Sequence, residues 1–418
     1  MGRRWQSSRL WRQPAFLKLW GGQTTSLVGS QVTYLALPLA ATLKLHASAL
    51  QMGLLTAMAA LPYPLFGLLA GVWVDRRRRR PILIAGALGQ AVILASLPIA
   101  SFIGALSMIQ LYLVAFLAGS LAMFFNIAWQ AFIPSVVEGG DLVDANAKLE
   151  MSQSLAEVGG PGMAGLLIQL LSAARAIGID ALSFLVSAVS LLILKVDEER
   201  PEHHRSSIRT EIREGVLAVF SHKLLRPIVI VAACFGFSAA LGEAVYILYV
   251  VRRLDISPGL LGLIYTAGSV LGLAGTSLVA NAGRRLGLGR TLILGQSVKV
   301  VAAGCLALAS GSHLTSVPLL IAGEGGFALG IVLYNVPELT LRQTVLPSEL
   351  QGRASACVRV VSWGVRPAGA LLGGLLGGLI GLHPTLVVSA VGMLLAFGWL
   401  LTTPVRQAES SSTMVLTG

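Results

Sequence analysis

Charged residues are scarce in this chain, since they make up 12% of its 418 residues, whereas soluble proteins carry about 25%. Cysteine is also rare: the three cysteines are Cys234, Cys305 and Cys357, and no two of them have CxxC spacing. This excludes a disulfide framework and a CxxC zinc site. The pattern G-x-x-x-x-G-K-[ST] does not occur, which excludes ATP hydrolysis through a P-loop.

Long hydrophobic runs dominate what is present. Hydrophobic residues make up 55% of the chain, and the mean hydropathy is +0.77. We predict an all-α integral membrane protein, because twelve runs are each long enough to cross a bilayer. The predicted spans are residues 17–43, 50–74, 81–103, 107–135, 152–172, 176–195, 225–251, 258–281, 290–310, 314–340, 355–380 and 383–403.

The basic residues indicate how these spans are oriented. A net charge of +12 is one mark of nucleic-acid binding, but 24 of the 31 lysines and arginines fall on one predicted side of the membrane and four on the other. Cytoplasmic loops carry such an excess of basic residues. We therefore predict a multi-pass protein of the cell membrane, with both termini in the cytoplasm and without a nucleic-acid partner.

A polar insert at residues 196–223 divides the spans into six and six. Within it, Ile212, Val216, Val219 and Phe220 recur at helical spacing, which indicates an amphipathic helix. We predict an N-terminal bundle at residues 1–195, a cytoplasmic linker with this helix at 196–223, and a C-terminal bundle with a cytoplasmic tail at 224–418. The halves echo each other, and duplicated six-span halves are typical of transporters with a substrate site near the midplane.

The turn between spans 2 and 3 carries the clearest motif. Gly71, Asp75, Arg76, Arg79 and Arg80 fit the pattern G-x-x-x-D-R-x-x-R-R. The pattern resembles the signature loop of the major facilitator superfamily. Further stretches are similar to its enterobactin-exporter and macrolide-efflux branch: Phe124-Phe125-Asn126, Asp180-Ala181-Leu182-Ser183-Phe184-Leu185, and Pro347-Ser348-Glu349-Leu350-Gln351-Gly352-Arg353.

The resemblance implies two pseudo-symmetric six-helix bundles, and a gating latch made of Gly71, Asp75, Arg76 and Arg79. The chain departs from the pattern at Arg78, where the family usually has glycine. It also lacks the acidic residue that relatives often carry near Ser30 in span 1.

Span 5 contains small residues around a proline. Gly160, Pro161 and Gly165 lie in a stretch that resembles the antiporter motif of drug exporters, which favours efflux over uptake. Close helix packing with a bend at the proline is the alternative interpretation, and both can hold. The stretch also fits G-x-G-x-x-G, but no strand precedes it, so we discard a dinucleotide site.

Ionisable residues at membrane depth are functional candidates, because each costs roughly 3 kcal/mol or more at a helix centre. Glu243 and Glu324 are the predicted proton-coupling residues. The alternative for Glu243 is a permanent ion pair with Lys299 or Arg366, and the alternative for Glu324 is a water-accessible role near the outer end of span 10. Arg366 is expected to meet an anionic substrate or to neutralise Glu243. Lys299 is expected to extend toward the membrane surface, and Asp180 to cap a helix start.

Polar and aromatic side chains suit a large amphipathic substrate. The predicted substrate-binding residues are Gln31, Tyr34, Asn126, Trp129, Gln130, Tyr246, Asn335 and Arg366.

These observations predict a secondary active transporter rather than an enzyme. The expected activity is export of an amphipathic small molecule (a drug, macrolide or siderophore-like compound) by alternating access, with proton antiport. Import of a solute, lipid flipping on the same fold, and a membrane sensor without transport are the alternatives. We expect no cofactor and no metal, and we expect a monomer whose partners are the substrate, protons and the lipid bilayer.

Overall fold

The computed structural model describes residues 9–137, 141–194, 196, 198 and 208–407. Fifteen α-helices and no strand lie within this part of the chain. The helices are α1 (Pro14–Leu43), α2 (Ala49–Ala60), α3 (Pro62–Asp75), α4 (Arg79–Phe102), α5 (Met108–Val136), α6 (Leu142–Leu171), α7 (Ala173–Leu192), α8 (Ile208–Phe220), α9 (Leu225–Arg252), α10 (Pro258–Leu286), α11 (Leu288–Leu308), α12 (His313–Val345), α13 (Ser348–Gly364), α14 (Arg366–Leu379) and α15 (Leu382–Leu401).

Twelve helical segments of the described residues are long and apolar enough to cross a membrane. This confirms the predicted all-α membrane fold with twelve spans. Two spans consist of two helices each: α2 and α3 meet at Leu61, and α13 and α14 meet at Val365. Pro62 and Pro367 lie just after these breaks, and a proline supplies no backbone N–H for the helical ladder.

The helix of span 5 starts ten residues before the predicted span, because α6 begins at Leu142 rather than near residue 152. Its first turns are amphipathic rather than apolar. They bury Ala145 and Leu149, and the Trp20 indole on α1 donates a hydrogen bond to Ser152 Oγ at 2.9 Å. Side-chain contacts with α1 therefore extend the helix beyond the stretch that hydropathy detects.

The chain forms two compact units. One comprises residues 1–46 and 66–205, and the other comprises residues 47–65 and 206–418. The predicted N-terminal bundle included residues 47–65, which belong to the second unit in the structure. The reason is close packing of α2 against α14 within that unit: a Cβ added at Gly53 would lie 2.6 Å from the backbone oxygen of Ala370.

In the first unit, α1 packs on α6 and α7, and α4 packs on α5 and α7. The core between these helices contains Leu83, Phe132 and Leu191, each at most 2% exposed. The Phe125 and Trp129 rings stack within the same core, with their centroids 5.9 Å apart. Aromatic and aliphatic packing thus joins α5 to α4 and α7.

In the second unit, α9 packs on α14 and α15, and α12 packs on α10 and α11. The linker helix α8 lies against α13. Val219 is fully buried there, whereas Val216 is exposed, and Glu214 forms an ion pair with Arg353 of α13. The helix in the linker is therefore anchored to α13 by apolar packing around Val219 and by one ion pair.

Glycines set the distance between α9 and α14. A Cβ added at Gly373 would press on the backbone of Leu241 in α9, whereas a Cβ at Gly378 on the same helix would meet nothing within 4 Å. We expect Gly373→Val to destabilise the protein by about 1–3 kcal/mol through overpacking. Gly378→Val is the matched control and should melt like the wild type. Thermal unfolding of both variants in detergent checks this, and equal melting temperatures would contradict it.

Candidate functional site

The second unit joins two of the predicted site residues in an ion pair. Glu243 lies in the second half of α9, and Arg366 is the first residue of α14, directly after the break at Val365. Arg366 Nη2 donates to Glu243 Oε2 at 2.5 Å. The Glu243 side chain is 39% exposed and that of Arg366 is 21% exposed, so the pair lies at an accessible surface of this unit and not in its core.

Aromatic rings surround the arginine. The guanidinium carbon of Arg366 lies 5.1 Å from the centroid of the Trp363 ring, within the range of a cation–π interaction. Trp363 in turn stacks on Tyr63, with centroids 5.0 Å apart and an interplanar angle of 29°. The Trp363 ring thus contacts both the Arg366 guanidinium and the Tyr63 ring.

Glu324 of α12 adds a second carboxyl group to this site. Its side chain is half-buried, interacts with the Tyr246 hydroxyl, and lies within electrostatic range of Glu243. Tyr246 is buried one turn after Glu243 on α9, and its ring meets that of Tyr265 edge to face, with centroids 6.3 Å apart. The structure thus brings Glu243, Glu324, Tyr246 and Arg366 into one cluster, which we call the carboxylate–arginine cluster.

The predicted substrate-binding residues have different environments. Tyr34, Asn126, Gln130 and Asn335 are exposed. Gln31 is half-buried and lies against Gly160 of α6, where an added Cβ would come within 2.5 Å of its Cγ. Trp129 is only 8% exposed and belongs to the core of the first unit, because its ring is stacked on Phe125.

The same Gly160–Gln31 contact describes the antiporter-like stretch of α6. Gly160, Pro161 and Gly165 are buried, and the absence of a side chain at Gly160 allows α6 to approach α1 closely. Pro161 lies within the continuous helix α6. In this structure the stretch therefore provides close packing between α1 and α6.

An acidic residue of the linker fixes the basic turn. The Glu198 carboxylate accepts the backbone N–H of Arg79 at 2.5 Å and that of Arg80 at 3.1 Å. These are unpaired donors at the start of α4, and a carboxylate there is favoured by the helix dipole. Arg80 also donates to the carbonyl oxygens of Leu191 and Leu192 at the end of α7, at 3.0 and 2.9 Å.

The predicted latch residues occupy the end of α3 and the turn after it. Asp75 is the last residue of α3, and its side chain lies outside the described part of the structure. Arg76 is exposed, and a Cβ at Gly71 would meet nothing within 4 Å. The motif alone did not indicate Glu198 as the partner of this turn, although the acidic run Asp197-Glu198-Glu199 was a visible signal.

Asp180 has a different role from the predicted cap. It lies seven residues inside α7 and is 1% exposed. The Thr33 hydroxyl of α1 donates to Oδ2, and the Ser183 hydroxyl lies 3.0 Å from Oδ1. A Cβ at Gly29 would press on both Asp180 and Ser183. Asp180 is therefore a buried link between α1 and α7, which periodicity in the sequence does not reveal.

Lys299 also departs from its expected position near the membrane surface. Its Nζ lies 4.4 Å from the centroid of Tyr334 and 4.9 Å from that of Phe235. The Tyr334 hydroxyl donates to the Ile228 carbonyl at 3.1 Å. Gly330 has no side chain and therefore leaves space for the side chain of Lys299. The ammonium group lies inside the second unit, near the rings of Tyr334 and Phe235.

Two further charged residues of α12 were not among the predicted candidates. Glu338 and Arg342 are 9% and 8% exposed and form an ion pair at 3.1 Å. Their spacing of four residues was the signal that could have found them. The two opposite charges of this pair compensate each other near the C-terminal end of α12.

A model of the Major Facilitator Superfamily matches residues 19–366. Two named relatives are exporters. The Multidrug efflux pump Tap of Mycolicibacterium fortuitum is 27% identical over 405 residues, which cover 92% of this chain and 94% of Tap. Macrolide efflux protein A of Streptococcus pyogenes is 24% identical over 379 residues, which cover 90% of this chain and 92% of that protein.

Solved structures show the same fold at low identity. A bacterial homologue of the iron transporter ferroportin in its inward-facing state superposes with a TM-score of 0.75 at 19% identity, covering 93% of this chain and 98% of that one. The nucleoside transporter NupG superposes with a TM-score of 0.74 at 12% identity, covering 93% and 98% of the two chains.

The hydroxyl contact of Asp180 can be tested on α1. Thr33→Val removes the hydroxyl donor and leaves a buried carboxyl oxygen unsatisfied, so we expect a loss of about 1–3 kcal/mol in stability. Thr25→Val is the matched control, because Thr25 lies on the same helix and its hydroxyl donates only to the Gly21 carbonyl at an exposed site. Thermal unfolding in detergent should separate the two variants. A wild-type midpoint for Thr33→Val would refute the role of this contact.

Proposed function

Because the chain belongs to the major facilitator superfamily of membrane transporters, we propose that it exports an amphipathic small molecule by alternating access, coupled to proton antiport. The family match confirms the resemblance that the basic turn indicated. Relatives named as a multidrug efflux pump and a macrolide efflux protein support the direction of transport. We propose a drug, a macrolide or a siderophore-like compound as the substrate.

The carboxylate–arginine cluster is the observation that carries proton coupling. It contains two carboxyl groups, Glu243 and Glu324, and one guanidinium, Arg366. With both carboxyl groups ionised, the partly exposed cluster carries one more negative than positive charge on otherwise apolar membrane-spanning helices, which is unfavourable. A proton on one carboxyl group balances the charge, so we propose that Glu324 holds the proton while Glu243 is paired with Arg366.

Release of Glu243 from Arg366 would change this balance. Without its arginine partner, the Glu243 carboxylate lacks the positive charge that compensates it in the pair, and we propose that a proton takes the place of the arginine there. We propose that this exchange accompanies the change between the two access states. A ligand or proton shifts such an equilibrium only through a difference in its interaction with the two states, and a breakable ion pair supplies that difference.

The substrate contacts and the latch are assigned in the same way. We propose that Gln31, Tyr34, Asn126, Gln130 and Asn335 line the substrate path, with Trp129 and Tyr246 as buried supports. We propose Gly71, Asp75, Arg76 and Arg79 as the latch, and the closely packed Gly160, Pro161 and Gly165 as the antiporter element. In this proposal both termini lie in the cytoplasm and the protein works as a monomer.

Glu243→Gln tests the coupling. The amide keeps the shape of the side chain but cannot carry a proton through the cycle. In proteoliposomes with a pH gradient we expect dye transport by this variant to fall to the level of empty vesicles. Exchange of labelled for unlabelled dye without a gradient should remain, because it needs no net proton movement.

Glu150→Gln is the control, since Glu150 lies on the exposed side of the first turns of α6. It should transport at the wild-type rate. Wild-type gradient-driven transport by Glu243→Gln would refute the coupling role. Dye uptake against the predicted direction, or movement of lipid between leaflets without dye transport, would favour an importer or a flippase instead.

A further inference from the structure

Arg366 is held in the way that a bound organic cation would be held. One nitrogen of its guanidinium lies 2.5 Å from the Glu243 carboxylate, and its planar group lies over the Trp363 ring at 5.1 Å. A carboxylate and an aromatic face are the two partners with which proteins recognise organic cations. The cluster therefore has the chemistry of a cation site whose occupant is a side chain of the same protein.

This occupant is incompletely bound. Its Nε–H is buried and has no hydrogen-bond partner among the described residues, and the structure records a single hydrogen bond from the guanidinium to Glu243 rather than a bidentate pair. Both binding partners remain accessible, because the Glu243 side chain is 39% exposed and Trp363 is 43% exposed. An exogenous cation can therefore reach the partners of Arg366 without the unfolding of the helices around them.

Apart from the Arg366 guanidinium, the ionisable groups of the cluster favour a positive ligand over a negative one. Glu243 and Glu324 contribute two carboxyl groups against one guanidinium. Removal of Arg366 from Glu243 leaves a carboxylate beside the Trp363 ring, on which Tyr63 also stacks. An anion at this place would meet carboxyl groups, whereas an organic cation would replace the interactions that Arg366 gives up.

We propose that Arg366 is a tethered competitor of the substrate, and that the transported class is amphipathic organic cations, whose positive group takes the place of the Arg366 guanidinium on Glu243 and Trp363. This inference rests on the proposed function, because it uses the same cluster. It adds the charge of the substrate to the proposed function, and it explains why an arginine occupies the cluster. Binding of the cation displaces the arginine, and departure of the cation lets the arginine return.

A binding assay tests the proposal that Arg366 competes with the substrate. Calorimetry measures the affinity of the purified full chain for tetraphenylphosphonium, in detergent and at constant pH. Arg366→Gln removes the competitor, and we expect the affinity of this variant for the cation to rise by at least about tenfold, which corresponds to the lower end of the coupling energies measured for close charge pairs. Tetraphenylborate has the same shape and the opposite charge, and the affinity of Arg366→Gln for it should not rise above that of the wild type. The double variant Arg366→Gln/Glu243→Gln should lose the gain, because the carboxylate that both cations share is absent.

Arg359→Gln is the matched control. Arg359 is an exposed arginine on α13, so this variant loses the same charge and should bind the cation like the wild type. An unchanged or weaker affinity of Arg366→Gln would overturn the proposal. An equal gain in Arg359→Gln, a gain that persists in the double variant, or no binding by any variant would also overturn it.

If Arg366→Gln does not fold, the single variant Glu243→Gln decides the question, because it must lose binding of tetraphenylphosphonium while Glu150→Gln keeps it. The assay contains no gradient and therefore does not depend on proton coupling. A competitor effect without gradient-driven transport would refute the coupling and leave the cation site in place. Proton-driven transport without the competitor effect would support the coupling and refute the cation site.

Discussion

A charged group on a membrane-spanning helix needs compensation from the protein, because lipid and apolar side chains provide none. This constraint explains the most informative contacts of the structure. Glu243 has Arg366, Glu338 has Arg342, Asp180 has two hydroxyls, and Lys299 has two aromatic rings. Each of these contacts joins two helices or two successive turns of one helix. The charged residues therefore also contribute to helix packing.

These solutions differ in how readily they can be exchanged. Asp180 is 1% exposed and lies where α7 meets α1, next to Gly29, which has no side chain. Its contacts therefore hold α1 and α7 together. The Glu243–Arg366 pair is partly exposed, lies at a break between helices, and has a second carboxyl group nearby. A buried compensated charge rigidifies a bundle, whereas an accessible pair with unequal charge can respond to a proton or a ligand. The second type is the one suited to a transport cycle.

Close helix packing makes these contacts possible. Gly53 and Gly374 allow α2 to meet α14, Gly373 allows α14 to meet α9, and Gly330 leaves space beside Lys299. Between membrane helices, association depends on such close approach and on polar contacts, because burial from water contributes little there. The glycine-rich stretches of the sequence are therefore structural elements of the helix pairs that position the charged groups.

The sequence by itself determined the all-α membrane fold, the twelve spans and the family, because long apolar runs and a basic turn are local properties of the chain. It also selected Glu243, Glu324 and Arg366, since charges within apolar runs stand out without a structure. Only the tertiary structure decided the partners. Glu198 at the basic turn, Thr33 beside Asp180 and the rings around Lys299 come from distant parts of the chain or from other helices. Such contacts depend on the rotation and separation of packed helices, which the spacing of residues along one helix does not specify.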